Sequence, residues 1–333
     1  MKRSIFISII AILAAVACVN SEQDLDVVVG GRKIETFTAK IADDNSRTMS
    51  ILGADGVLNI FWHPTDSVAV TDGSQLAKYR LDSGAGSDVA TFVVDDESKG
   101  VAFDSSKPLY GVSPWSATSF TDSPAGGTLP SLGVEDTPWD DTRAASSFEG
   151  ILRVNIPTEQ GYSGIAGHSD RDRNIMVGTT ADNGQTFEFK MVASAARFDI
   201  KVAKDEKILS VTMSAESAKL SGAATVDVAT LTIAKASENS VTLNYHNPEK
   251  GTTTDGWALV APVAWTATDG KVFYSVATDS GTYTFCKRPT KNFEAGYIYT
   301  LKLDIEKFSA VTSYDKLEDG CYYFESKMAV KQV

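Results

Sequence analysis

Histidine and cysteine, three of each, are the scarce chemical residue types of this 333-residue chain, and their spacing is the first place to look for a reaction. His63, His168 and His246 stand far apart, none at ligand spacing from another or from a cysteine, so a zinc site has little support. Gly161-Tyr162-Ser163-Gly164 approaches a nucleophile elbow, but Ile165 stands where G-x-S-x-G needs its last glycine, and the sharp turn is not supported. His168-Ser169-Asp170-Arg171-Asp172-Arg173 sets a histidine near two acids and reads as a charged loop. Asp170 and Asp172 lack the glycine and terminal glutamate of a calcium loop. The paired carboxylates of glycoside hydrolysis meet in space rather than in sequence, and no acid here is singled out. Trp62 and Trp257 lie in apolar runs as core residues, whereas Trp139, in a polar loop, is the better candidate for stacking on a sugar. The expectation is a chain that is no enzyme and holds no cofactor and no metal.

The first cysteine points to export. Lys2 and Arg3 precede an uncharged apolar run from Ser4 to Val16, which ends in Ala15-Val16-Ala17-Cys18. That is the layout of a signal peptide, too short for a membrane span of about 20 apolar residues. A cysteine directly after the small residues reads as a lipoprotein signal, residues 1–17, cut before Cys18 and acylated on its thiol. An ordinary secretory signal with Cys18 incidental is the alternative. The formal charge of −12 becomes more negative once Lys2 and Arg3 are removed. Such a chain suits neither nucleic acid nor an anionic lipid surface, so attachment to a membrane must come from the lipid. Cys286 and Cys321 remain, in a compartment where a disulfide persists. They are either bridged or two free, partly buried thiols, since sequence fixes no geometry.

The elements that would position these residues have a period of two. Phe37, Ala39 and Ile41 alternate with polar residues, as do Phe198, Ile200 and Val202, and the run Tyr297 to Glu306. Leu209, Val211 and Met213 form another alternating set, with Val241, Leu243 and Tyr245 after it. One apolar and one polar face is what an antiparallel sandwich strand needs. Turn dipeptides separate the strands: Asp55-Gly56, Asp72-Gly73, Asn183-Gly184, Asp269-Gly270 and Ser280-Gly281. Residues 116–147, rich in Gly, Pro and Ser, read as a long surface excursion. The length allows two domains of about 150 residues. The expected division is a linker over 18–30, an N-terminal domain over 31–184 and a C-terminal domain with a tail over 185–333, the boundary lying at the Asn183-Gly184 pause.

Several local patterns occur in a telling order. They are Ile34–Ile41 with Ser46-Arg47-Thr48, then Ile60-Phe61-Trp62-His63-Pro64, Leu109-Tyr110-Gly111-Val112-Ser113-Pro114 and Ile156-Pro157-Thr158-Glu159-Gln160. Asn174-Ile175-Met176-Val177-Gly178, Phe187-Glu188-Phe189, Ala195–Ile200 and Phe293–Leu301 follow. Behind a lipoprotein signal, this series resembles the fimbrillin-like proteins of Bacteroidales, the type V pilins, from about residue 24 to 306. The resemblance implies an all-β fold of two tandem transthyretin-like antiparallel β-sandwich domains, lipid-anchored in the outer membrane and built into a surface fimbria that serves adhesion. It implies other pilin subunits as partners, with host or bacterial surface ligands beyond them. It also implies assembly by strand exchange after a trypsin-like protease removes the first strand, which places the cut between Arg47 and Thr48. Arg32 and Lys33 offer competing sites, and a plain turn arginine is the other reading of Arg47. The C-terminal run departs from the pattern. Tyr322, Phe324, Met328 and Val330 share one side of an extended strand, which is either a donor strand or the last strand of its own domain. The alternative function is a monomeric outer-membrane lipoprotein that binds glycans.

Overall fold

A computed structural model describes residues 32–42, 49–52, 58–72, 75–96, 100–104, 108–115, 151–162, 175–180, 182–227, 230–246, 248, 250–266 and 269–327. Cys18, Arg47, Thr48, Trp139, His168, Met328 and Val330 lie outside them. The first half holds β1 (Thr36–Ile41), β2 (Met49–Leu52), β3 (Leu58–Phe61), β4 (Ser67–Thr71), β5 (Leu76–Ser83), β6 (Val89–Val94), β7 (Tyr110–Ser113), β8 (Ile151–Ile156), β9 (Glu159–Tyr162), β10 (Met176–Thr179) and β11 (Thr186–Met191). The second holds β12 (Ser194–Lys201), β13 (Ile208–Ala215), β14 (Ser221–Asp227), β15 (Thr232–Glu238), β16 (Ser240–Tyr245), β17 (Thr252–Val260), β18 (Val272–Thr278), β19 (Gly281–Cys286), β20 (Ile298–Asp304), β21 (Ser309–Val311) and β22 (Cys321–Ser326). The chain is all-β, as its period-two segments require, with a short 3-10 turn at Tyr314–Lys316.

Seven strands close into a barrel in the order β1-β11-β10-β7-β4-β5-β6. β2 and β3 form a separate two-stranded hairpin. The second unit is a sandwich. The three-stranded sheet β17-β12-β20 faces the seven-stranded sheet β21-β22-β19-β18-β13-β16-β9, and Phe198, Ile200, Val211, Met213, Leu243, Val276 and Phe285 fill the space between them. The opposite face of β12 and β17 is also buried. Ala195, Trp257 and Leu259 meet Val154 and Ile156 of β8 and Val226 of β14 in a cluster continuous with the barrel core. Burial on both faces explains why Ala195-Ala196 and Ala258-Leu259-Val260 break the alternation.

Strand pairing divides the chain differently from the expected boundary. Asn183 and Gly184 have φ of 62° and 78°, the left-handed pair of a tight hairpin turn. That turn joins β10 to β11, which pair from Met176↔Met191 to Thr179↔Glu188 inside the barrel. The barrel therefore runs on to Met191. Residues 151–162 also sit elsewhere than expected, since β8 pairs with β14 and β9 runs parallel to β16. A turn dipeptide marks where a strand ends but carries no record of its partner. A second correction is local. Ile208, not Leu209, shares the buried face with Val211 and Met213, because a register shift between Ile208 and Ser210 adds a residue to the strand.

Candidate functional site

β1 is the strand that closes the barrel. It runs antiparallel to β6, from Thr36↔Val93 to Lys40↔Val89, and parallel to β11, from Thr38↔Thr186 to Ile41↔Phe189. The β1–β11 contact is the only parallel pairing of the barrel. Phe37, Ala39 and Ile41 point inward and are buried, as their alternation predicts. Phe37 sits within an aromatic cage, its ring 4.7 Å from Phe187, 5.1 Å from Tyr79 and 5.5 Å from Phe92. Trp62 lies behind it, edge-on to Phe92 at 4.9 Å and to Phe189 at 5.4 Å.

Two backbone devices complete this cage. The Phe189 ring lies where a Cβ on Gly111 or Gly178 would fall, 2.6 and 2.9 Å away. These two glycines face each other across β7 and β10, so their absent side chains make room for one aromatic ring. The Tyr79 hydroxyl donates to the Ile34 carbonyl at 2.7 Å and accepts from the Val101 amide at 3.3 Å. Burial pushes that phenol up to about 12, the Val101 bond acting the other way, so it stays a neutral donor holding the chain ahead of β1.

β1 is paired unevenly. Its contact with β11 begins only at Thr38, whose amide donates to Gln185 at 2.7 Å. Beside its first half lies a cleft of about 580 Å³, lined by Arg32 to Thr38, Phe103 and Asn183 to Gln185. The strand is thus gripped on both sides near Ile41 and on one side near Thr36. Residues 43–48, with the expected cut at Arg47–Thr48, follow it and lie outside the described residues.

The C-terminal candidate residues sit in a different place. β22 lies between β19, antiparallel, and the short β21, parallel. Tyr322 and Phe324 do share one face, as expected, but they pack on their own sandwich. Phe324 is 4.4 Å from Tyr283, and Tyr322 is 5.7 Å from Phe285. Lys327 ends the strand, its amide donating to Ser280 and its ammonium to the Thr278 carbonyl. Cys286 and Cys321 face each other across β19 and β22 as buried free thiols.

Residues that sequence reasoning passed over also emerge. Gln160, buried in β9, reaches across to β17, where it donates to the Leu259 carbonyl at 2.9 Å and accepts from the Leu259 amide at 2.8 Å. Its only signal was its place in the Ile156–Gln160 pattern. The His63 amide donates to Asp66 and its ring meets Thr65. Among the described residues no three histidines, cysteines or acids gather to hold a metal, and no helix is long and apolar enough to cross a membrane.

Against known families, residues 175–318 match the model of the fimbrillin-like proteins. Over that stretch the chain is similar to the fimbrillin-like proteins. The matched region begins just ahead of β10 and ends before β22, taking in the last two barrel strands and the sandwich strands other than β9 and β22. It reaches past the expected limit at 306 and does not include residues 24–174. No curated protein matches the chain. Among solved structures, a candidate cell adhesion protein from Bacteroides ovatus is 14% identical, with TM-score 0.49, covering 89% of this chain and 96% of that one. The C-terminally truncated tip fimbrial protein Mfa3 from Porphyromonas gingivalis is 12% identical, with TM-score 0.33 and coverages of 87% and 97%. A fimbrial protein from Bacteroides vulgatus is 9% identical, with TM-score 0.34 and coverages of 88% and 98%. These scores are too low for the likenesses to carry weight. The family match supports a structural, fimbrial role at the cell surface over an enzymatic one.

Proposed function

We propose that this chain is a subunit of a surface fimbria that assembles by strand exchange at the position of β1. The observation that carries the reading is that β1 closes the barrel. An ordinary edge strand leaves one open edge when it departs. Loss of β1 opens two, on β6 and on β11, and uncovers the aromatic cage of Phe92, Phe187 and Phe189. Unpaired edges and apolar pockets at alternate positions are what an incoming strand fills.

β1 is held by the burial of Phe37 and Ile41, about 1.5–3 kcal/mol for each large side chain, and by ladder bonds of about 0.5–1.5 kcal/mol each. Those contacts suffice while the strand is tethered. A cut after Arg47 removes the tether and with it the high local concentration that favours re-docking. The open cleft beside Thr36 gives the exchange a place to start. In this reading Cys18 carries the lipid that places the subunit at the outer membrane, and mass spectrometry of the native N-terminus tests that anchor.

The donor in this reading is a strand from another subunit, with Tyr322, Phe324, Met328 and Val330 as its candidate side chains. Tyr322 and Phe324 must first leave their own sandwich to serve. The test is limited digestion of the mature protein with trypsin, followed by size analysis. Parent protein is expected to be cut after Arg47 and to form higher assemblies, and Arg47→Ala to stay monomeric. An Ala variant that assembles like the parent overturns the trigger. A cut parent that stays monomeric at high concentration favours the lipid-anchored glycan-binding reading instead.

A further inference from the structure

Cys286 ends β19 and Cys321 begins β22, and the two are direct partners in the antiparallel register. Directly opposed residues of an antiparallel pair have Cα atoms about 4.5–5.5 Å apart, inside the span of about 4.4–6.8 Å that a disulfide bridges. Both thiols belong to one small cluster closed by Leu317, with Phe273, Val311 and Tyr323 around it. That cluster lies apart from the main sandwich core. Its cover is pinned by the Lys271 ammonium, which donates to the Leu317 carbonyl at 2.6 Å. The Gly320 amide donates to the Cys286 carbonyl at 2.9 Å, drawing the turn before β22 onto the end of β19.

We propose that Cys286 and Cys321 form a redox staple that fastens the last strand to its own sandwich. In the bonded form β22 is fixed at its root; in the dithiol form it is held by pairing, by the packing of Tyr322 and Phe324, and by the Lys327 bonds at its far end. The oxidant is a disulfide of low molecular weight or of an oxidoreductase. One protein thiolate attacks a sulfur of that disulfide and releases one thiol. The second attacks the resulting mixed disulfide and releases the other. Two protein thiols become one disulfide, and the oxidant leaves as two thiols carrying the two protons.

The site also sets when this happens. Burial pushes Cys286 up to about 11, aided by Asp319, Cys321 and Glu216 and opposed by Lys271. The Cys286 thiolate is therefore scarce while the cluster is closed over it, which slows its attack on an oxidant. Facing Cβ atoms in a sheet lie about 4.5–5.5 Å apart, against about 3.5–4.5 Å in a disulfide. The two ranges meet at about 4.5 Å, so closing the bond needs at most a small local shift. The staple stands whether or not β22 is a donor. Where strand exchange does use β22, the staple decides when the strand is available.

The experiment compares the full chain in two redox states. Native protein is incubated with oxidised glutathione, digested without reduction and mapped by mass spectrometry. The expected product is one linked peptide pair, Cys286 with Cys321, lighter than the dithiol pair by two hydrogens. Hydrogen exchange across residues 322–326 should then be at least about tenfold slower in the oxidised form than in the reduced form, with the barrel strands unchanged. Glutathione adducts without an internal link overturn the pairing. A linked pair with unchanged exchange in β22 overturns the staple. Neither result bears on cleavage at Arg47, so this proposal and the assembly reading fail separately.

Discussion

The barrel and the sandwich each contain a strand that a small number of contacts holds in place, and the two are held by opposite means. β1 sits inside a closed ring, paired on both sides, its side chains pointing into a cage of aromatic residues. β22 sits one strand from the end of an open sheet, with only the three-residue β21 beyond it. Phe37 is 3% exposed, whereas Phe324 is half-buried. The barrel stores apolar free energy in the buried face of β1, and the sandwich stores less in the half-buried face of β22. Removing β1 should therefore create a strongly attractive vacancy, while freeing β22 should cost the sandwich little. That asymmetry is what an acceptor groove and a donor strand require of one molecule.

The comparison is tested most strongly by truncating the two aromatic anchors. Phe37→Ala should lower stability by about 3–5 kcal/mol, the usual range for a buried phenylalanine. Phe324→Ala should cost distinctly less, about 1–2 kcal/mol, because part of its ring already meets water. Guanidinium denaturation of parent and both variants gives the two values. Equal losses would mean that the two strands are held alike and that the assignment of acceptor and donor has no energetic basis.

A smaller effect is expected where the two regions are stitched together. Gln160 mimics a strand residue, giving Leu259 both a donor and an acceptor through its side-chain amide. Gln160→Ala leaves a buried amide and a buried carbonyl without those partners, at a cost of about 1–3 kcal/mol. Hydrogen exchange at the Leu259 amide should rise with it. An unchanged Leu259 amide would show that β8 and β9 are held to the second unit by strand pairing alone.

Much of this architecture was legible because a half-buried strand writes its burial into a two-residue period. Phe37-Ala39-Ile41 and Phe198-Ile200 fall on the faces their alternation indicates, and Trp62 and Trp257 are core residues as their apolar surroundings suggest. Partner choice was not legible. Nothing in Glu159–Tyr162 says that it will lie parallel to β16, and nothing in Asn183-Gly184 distinguishes a hairpin turn from a domain boundary. The glycines of the Leu109–Pro114 and Asn174–Gly178 patterns had no stated reason until Phe189 appeared over both. Their meaning depends on a residue on a third strand. The role of β1 in the barrel was half visible for the same reason: its inward face is local information, while its place as the closing strand is a property of the whole ring.

The smallest effect should come from the turn that begins β11. Asp182 Oδ1 accepts from the Thr186 amide at 2.7 Å and from the Thr180 hydroxyl at 2.9 Å. Slight burial acts upward on its carboxyl, but these bonds outweigh it and hold the group below its ordinary value. A carboxyl lowered in the folded state adds stability above its unfolded pKa, and that contribution fades as pH falls through the folded value. The turn should therefore loosen only in acid, below the usual aspartate range, with an effect on global stability within about 0.5 kcal/mol because the group is exposed and solvent-screened. The Thr186 amide resonance should titrate with Asp182 in the parent protein and lose that transition in Asp182→Asn. The turn shapes one wall of the cleft beside β1, through Asn183 to Gln185. If β1 is gripped more weakly there than near Ile41, hydrogen-exchange protection at its Thr36 end should fall in acid before protection at Ile41 does. Simultaneous loss of protection along the whole strand would show that β1 lets go as one unit and that the cleft gives no preferred starting point.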